Sequence, residues 1–284
     1  MLVTLLAVSR LAHYVATTGL FGLCLFAVLA WPIGPRLLRG FSIAALVSGL
    51  AWFAANTMTM TGDAAAVLDP SMLAVVAGTG FGVVWIARLV LAAALCFMIS
   101  PRLKFASLTL AGLLLASISL TGHARSHEGL IGDLHIASDS IHLLGAGAWL
   151  GGLAALSVLL RGADGSDEAL ALKARRVAAF SIVGYFAVGG LVASGVINGA
   201  LIVASPAALV STLYGRLLLL KVALFGGMLC LALYNRFRIS PALEDPRTAA
   251  AGFHHLRRNV ILEQSLGTAI LMVVSVLGTL DPAS

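Results

Sequence analysis

The chain has 284 residues, of which 60% are apolar and only 11% charged, and its mean hydropathy is +1.02. Soluble domains carry about 25% charged residues, so a water-soluble globular enzyme is excluded, and eight membrane spans of ~20 residues would leave room only for short loops. The net charge of +6 is spread in small clusters between apolar segments, with no dense basic run. It reads as a topology signal and gives no reason to expect nucleic acid as a partner.

Apolar runs at 11–31, 41–61, 75–99, 105–121, 138–160, 178–203, 212–235 and 261–280 predict an all-α polytopic bundle of about eight transmembrane helices, one integral membrane domain over 1–284. None shows the period-two alternation of a membrane β-strand. The N-terminus has no charged n-region, Arg10 interrupts its early apolar residues, and the stretch from Leu11 is long enough to span, so it reads as a helix and not as a signal peptide. Pro32, Pro35, Pro101, Pro206, Pro241 and Pro246 sit at or between the runs, where a missing N–H costs little. Cys24, Cys96 and Cys230 lie inside apolar stretches and read as packing residues.

Thirteen Lys and Arg residues fall in the loops of one side, from Arg36 and Arg39 to Arg257 and Arg258, against Arg10 and Arg125 on the other. The positive-inside rule then places both termini outside, which in a bacterial inner membrane is the periplasm. Gly147-x-x-x-Gly151 and Gly195-x-x-x-Gly199 are small-residue spacings that permit close helix contact in lipid.

With that orientation the candidate metal ligands fall on one side. His13 lies near the outer end of the first helix, Met58 and Met60 close the outer end of the second, and His123, His127, His135 and His142 surround the outer ends of the fourth and fifth. If the fifth helix begins near Leu134, His135 and His142 stand about 20° apart on the helical wheel with Asp139 on the same stripe. Imidazole with thioether suits Cu(I), and imidazole with carboxylate also suits zinc or Cu(II). His123 and His127 have metal-pair spacing but equally read as solvated loop residues, and Met58 and Met60 equally read as gap fillers. His254 and His255, beside Arg257 and Arg258, read as a cationic rim.

Arg88 and Lys221 lie deep in spans and need a partner, for which Asp139, Glu263 or an anionic group such as a haem propionate qualify, while Arg216 is placed to snorkel outward. No P-loop, G-x-S-x-G elbow or H-E-x-x-H pair is present. An ATP-driven pump is therefore not expected, and no residue is assigned a catalytic role.

The stretch His142-Leu-Leu-Gly-Ala-Gly-Ala-Trp149-Leu-Gly151-Gly152 resembles the histidine-bearing fifth helix of the CopD copper-resistance membrane proteins. The resemblance continues through Ser194-Gly195-Val-Ile-Asn198, Leu213-Tyr214-Gly215-Arg216, Asn235-Arg236-Phe-Arg238 and Leu256-Arg257-Arg258-Asn-Val-Ile-Leu-Glu263, covering about 120–282, with the first four helices alike in general plan. It implies a multi-pass inner-membrane protein, not an enzyme, that takes copper from the periplasm towards the cytoplasm, often beside a separate periplasmic copper carrier of the CopC type. It implies a metal role for His142 first, then for His13, His135, Met58 and Met60. The residues leave a second reading open: a b-type haem protein passing electrons, with His13 and His142 as axial ligands and Arg88 and Lys221 near the propionates.

Overall fold

The computed structural model describes residues 2–122, 128–161, 167–203 and 205–281. Among them, eight helices are long and apolar enough to cross a membrane, and no strand occurs. They are α1 (Leu2–Leu29), α2 (Pro35–Thr61), α3 (Gly80–Met98), α4 (Pro101–Thr121), α5 (Gly129–Leu159), α6 (Glu168–Ile202), α7 (Leu213–Leu243) and α8 (Arg247–Leu277). Helices satisfy every backbone group within the segment, which is what hydrocarbon demands.

Several helices are longer than their apolar runs. α2 starts at Pro35, six residues before the run, because a proline at the first helical position lacks an N–H that would be unpartnered there anyway. α6 and α8 begin about ten and fourteen residues early, so Lys173, Arg175, Arg176, Arg257 and Arg258 sit on helical turns. Hydropathy registers only the part of a helix that matches lipid. In the opposite sense, α3 begins at Gly80 instead of near 75, since Thr79 caps it and a separate short helix, Pro70–Ala77, precedes it.

α1 is the hub, packing against α2, α4, α5 and α8, while α3 closes on α2 and α4, α6 on α5, and α7 on α8. α1 and α5 meet without side chains between them: a Cβ on Gly151 would stand 2.3 Å from the Thr18 carbonyl, and one on Gly22 would stand 2.4 Å from Gly151. The Gly147/Gly151 spacing therefore is a contact face, as small residues in membranes usually are. At Gly199 a Cβ would meet nothing within 4 Å, so the second spacing is not one.

Two spans contain a π turn. α5 has a π turn at Gly147–Gly151 and α7 has one at Asn235–Ile239. The chain ends converge: Arg10 donates from Nη1 to the Gly278 carbonyl, so the start of α1 and the end of α8 share one end of the bundle, called the outer end below.

Candidate functional site

Near the outer end one half of the bundle encloses a buried histidine, His13, and the other a half-buried one, His142. His13, on α1, is fully buried, and its Nδ1 lies 3.1 Å from the Ala45 carbonyl and 3.2 Å from Ser48 Oγ on α2. A carbonyl only accepts, so Nδ1 carries the proton and Nε2 presents its lone pair. Around that imidazole stand Trp52 and Trp85, at 5.5 and 6.1 Å between ring centroids. The Arg88 guanidinium rests over the Trp85 ring at 4.2 Å and donates to Ser117 Oγ at 3.1 Å, the Ser117 carbonyl at 2.7 Å and Thr121 Oγ1 at 3.0 Å. Arg10 lies over Trp52 at 5.1 Å. Arg88 thus finds its partners in hydroxyl, carbonyl and indole faces, not in the carboxylates expected from sequence.

The second cluster is on α5, α6 and α7. His142 Nδ1 is 3.0 Å from Ser194 Oγ, and Ser194 donates its own hydroxyl proton to the Gly190 carbonyl at 2.5 Å. The imidazole is therefore the Nδ1–H donor in that pair. Its Nε2 faces Lys221 Nζ at 3.4 Å. Asp139, one turn earlier on α5, accepts from Asn198 Nδ2 at 3.3 Å and lies within electrostatic reach of Lys221. His142, Lys221 and the buried thioether of Met228 open onto a cavity of about 290 Å³ between α5, α6, α7 and α8.

α5 runs unbroken from Gly129 through Ala146. It brings Asp139 and His142 to one neighbourhood with Lys221, and His135 is buried on the same helix. His13 is not brought to it: its ring touches α2 and α3, whereas that of His142 touches α6 and α7. A haem held by both imidazoles needs them on one cavity, and these residues do not fit that arrangement.

Met58 and Met60 both lie in the last turns of α2, two residues apart on a continuous helix, so they point to different sides. Met60 is 56% exposed, and the pair forms no pincer. His123 and His127 lie outside the described residues. His254 and His255 are exposed on the inner turns of α8, and Arg216 is exposed at the outer end of α7. Among the described residues no three His, Cys, Asp or Glu side chains gather into a ready metal cluster.

Met228, Ser194 and Asn198 were not singled out as site residues by sequence reasoning. Met228 stands seven residues after Lys221, two turns along the same face of α7, and that spacing is the signal that could have found it.

Fold and site together define a polytopic membrane protein with buried imidazole near one end. The model for the N-terminal domain of copper resistance protein D-like proteins matches residues 1–133, and the copper resistance protein D model matches residues 174–277. Inner membrane protein YebZ of Escherichia coli (strain K12) is 32% identical over 289 residues, 96% of this chain and 97% of that protein. Copper resistance protein D of Pseudomonas syringae pv. tomato is 34% identical over 215 residues, 72% of this chain and 69% of that protein. Copper transport protein CutJ of Bacillus subtilis (strain 168) is 32% identical over 214 residues, 71% of this chain and 37% of that protein. No solved structure matches.

The chain belongs to the copper resistance protein D family and is a multi-pass inner-membrane protein. The match to residues 1–133 extends the likeness over the first four helices, where sequence motifs alone carried only a general plan.

Proposed function

We propose that this protein carries copper across the inner membrane from the periplasmic to the cytoplasmic face, and that His142 and Met228 are ligands on the way. The observation that carries this reading is the shared cavity. An imidazole with its Nδ1 proton fixed by Ser194 and a thioether line one cavity, and that ligand pair favours the cuprous ion. Serine holds the tautomer as an outer-shell partner does in metal sites.

Lys221 occupies the Nε2 lone pair in the structure, so copper and the ammonium compete for one position. On arrival of the metal the lysine side chain swings towards Asp139, which keeps its charge paired and moves the ammonium away from the metal. Asn198 holds Asp139 in place for that exchange. His13, with a free lone pair beside two arginines, is the lesser candidate, because four cationic or N–H-bearing side chains crowd it and repel a bare cation.

The positive-inside distribution supports the orientation this reading needs: the thirteen loop cations lie away from His13 and His142. A separate periplasmic copper carrier of the CopC type is the natural donor at the outer end. The test is copper uptake into vesicles reconstituted with the full chain. Wild type exceeds empty liposomes, His142→Ala falls to the empty-liposome rate, and Met228→Leu lowers uptake while conserving volume. Wild-type uptake equal to that of empty liposomes, or undiminished uptake by both variants, overturns the proposal.

A further inference from the structure

Glu263 belongs to neither histidine cluster. It sits in the middle of α8, 2% exposed, where a charged carboxylate is costly unless it is satisfied. Asn235 Nδ2 donates to Glu263 Oε1 at 2.7 Å, and the Trp149 indole donates to the same carboxylate. Asn259, one turn before Glu263, donates to Asn235 Oδ1 at 2.7 Å, which fixes the amide with its N–H edge towards the glutamate. The two donors come from the two π turns of the protein: Trp149 from that of α5 and Asn235 from that of α7. Such turns are rare and recur at functional sites. Here both interrupt long spans to aim N–H groups at one carboxylate.

Among the described residues Glu263 takes part in no ion pair. Among the described residues the one ion pair is Arg247 with Asp245, far from this cluster at the start of α8. The charged and titratable groups facing Glu263 are Arg236 from α7 and Tyr185 from α6, joined to each other at 3.0 Å and lining with Glu263 and Asn235 a cavity of about 100 Å³. From α5 the facing residues are Trp149 and Leu156, neither of which ionises in the accessible range. Trp149 lines this cavity and the His142 cavity alike, so the two spaces meet at one indole.

We propose that Glu263 is a proton-binding site in the inner half of the bundle, loaded from the inner aqueous phase past Arg236 and Tyr185. Two neutral N–H donors support the anion, and depth without a cation supports the acid, so both forms are within reach of each other. A proton leaves water on the inner side, forms one O–H bond on a carboxylate oxygen and leaves the site neutral; release reverses the step. The position below the His142 cavity places a charge change where a cation passing inward would meet it.

The test needs no copper. Infrared difference spectra of the full chain in lipid vesicles, taken between acidic and alkaline buffer, are expected to show a protonated-carboxyl band that titrates and is missing from the isosteric Glu263→Gln. Trp149→Phe removes one donor from the anion and moves the band's midpoint upward by roughly one pH unit. Wild-type and Glu263→Gln spectra that coincide, or a midpoint unmoved in Trp149→Phe, overturn the proposal. Because metal is absent throughout, that failure is separate from any failure of the copper reading.

Discussion

Lys221 donates from Nζ to Nε2 of His142 across 3.4 Å and so covers the lone pair with which that imidazole would bind a metal. Ser194 takes the other ring nitrogen, which leaves the histidine held on both sides. Lys221→Leu removes the competitor without adding a ligand and retains part of the apolar stem. Copper affinity, measured by competition with a chelator of known strength, is expected to rise roughly tenfold, the equivalent of one hydrogen bond to a charged group. An affinity unchanged or weakened by this substitution contradicts the competition.

Ser194→Ala leaves the imidazole proton without its acceptor and lets the ring turn. The same titration is expected to give affinity about tenfold weaker, the size usual for losing an outer-shell partner. Ser181, a half-buried serine on the same helix that lies away from His142 and bonds only its own turn, serves as the control.

Close contact of α1 with α5 makes a steric prediction. A methyl at Gly151 meets the Thr18 carbonyl and the Gly22 backbone, which cannot move aside as a flexible side chain would. Gly151→Ala is expected to lower thermal stability by about 1–3 kcal/mol, the usual cost of overpacking, whereas Gly199→Ala is expected to be neutral or slightly stabilising. Equal melting temperatures for the two variants would be inconsistent with this interface.

Arg88 makes three hydrogen bonds through a planar fork and lies on an indole face. Lysine cannot reproduce the fork. Arg88→Lys is expected to destabilise the outer end of α3 and α4 by about 3 kcal/mol, read from thermal unfolding in detergent. Retained stability would show that the guanidinium geometry is unimportant.

At the start of α8, outside the membrane, Asp245 caps the helix, and its side-chain bond to Arg247 holds its carboxyl below the usual carboxylate range. A group with a lowered folded value contributes stability above the ordinary aspartate range, and that contribution disappears as pH falls through the folded value. Protection of the first turn of α8 against hydrogen exchange is expected to fall in acid, and Asp245→Asn, which still caps, is expected to remove the pH dependence. Identical pH profiles would refute it.

The number of spans, the common side of both termini and the depth of Arg88 and Lys221 could be read from the sequence, because hydropathy and charge report directly on lipid contact. Pairing across helices could not. His13 and His142 carry the same signal, a histidine near an outer end, yet rotation about α1 and α5 turns their rings to different neighbours. Met58 and Met60 look like a pincer as a tripeptide and cease to be one once the helix continues to Thr61. Met228 reads as one more apolar residue until the cavity beside Lys221 is seen. Glu263 drew attention as a charge in a span, but its partners Asn235 and Trp149 depend on two π turns that no hydrophobic period reveals.

The central claim is that copper binds at the imidazole and thioether of the α5–α8 cavity. X-ray absorption at the copper edge, on the full chain loaded with one equivalent of Cu(I) in lipid vesicles, tests it most directly. The wild type is expected to show both nitrogen and sulfur scattering, Met228→Leu to lose the sulfur shell and His142→Ala to lose the imidazole signature. A copper environment identical in all three proteins would contradict it.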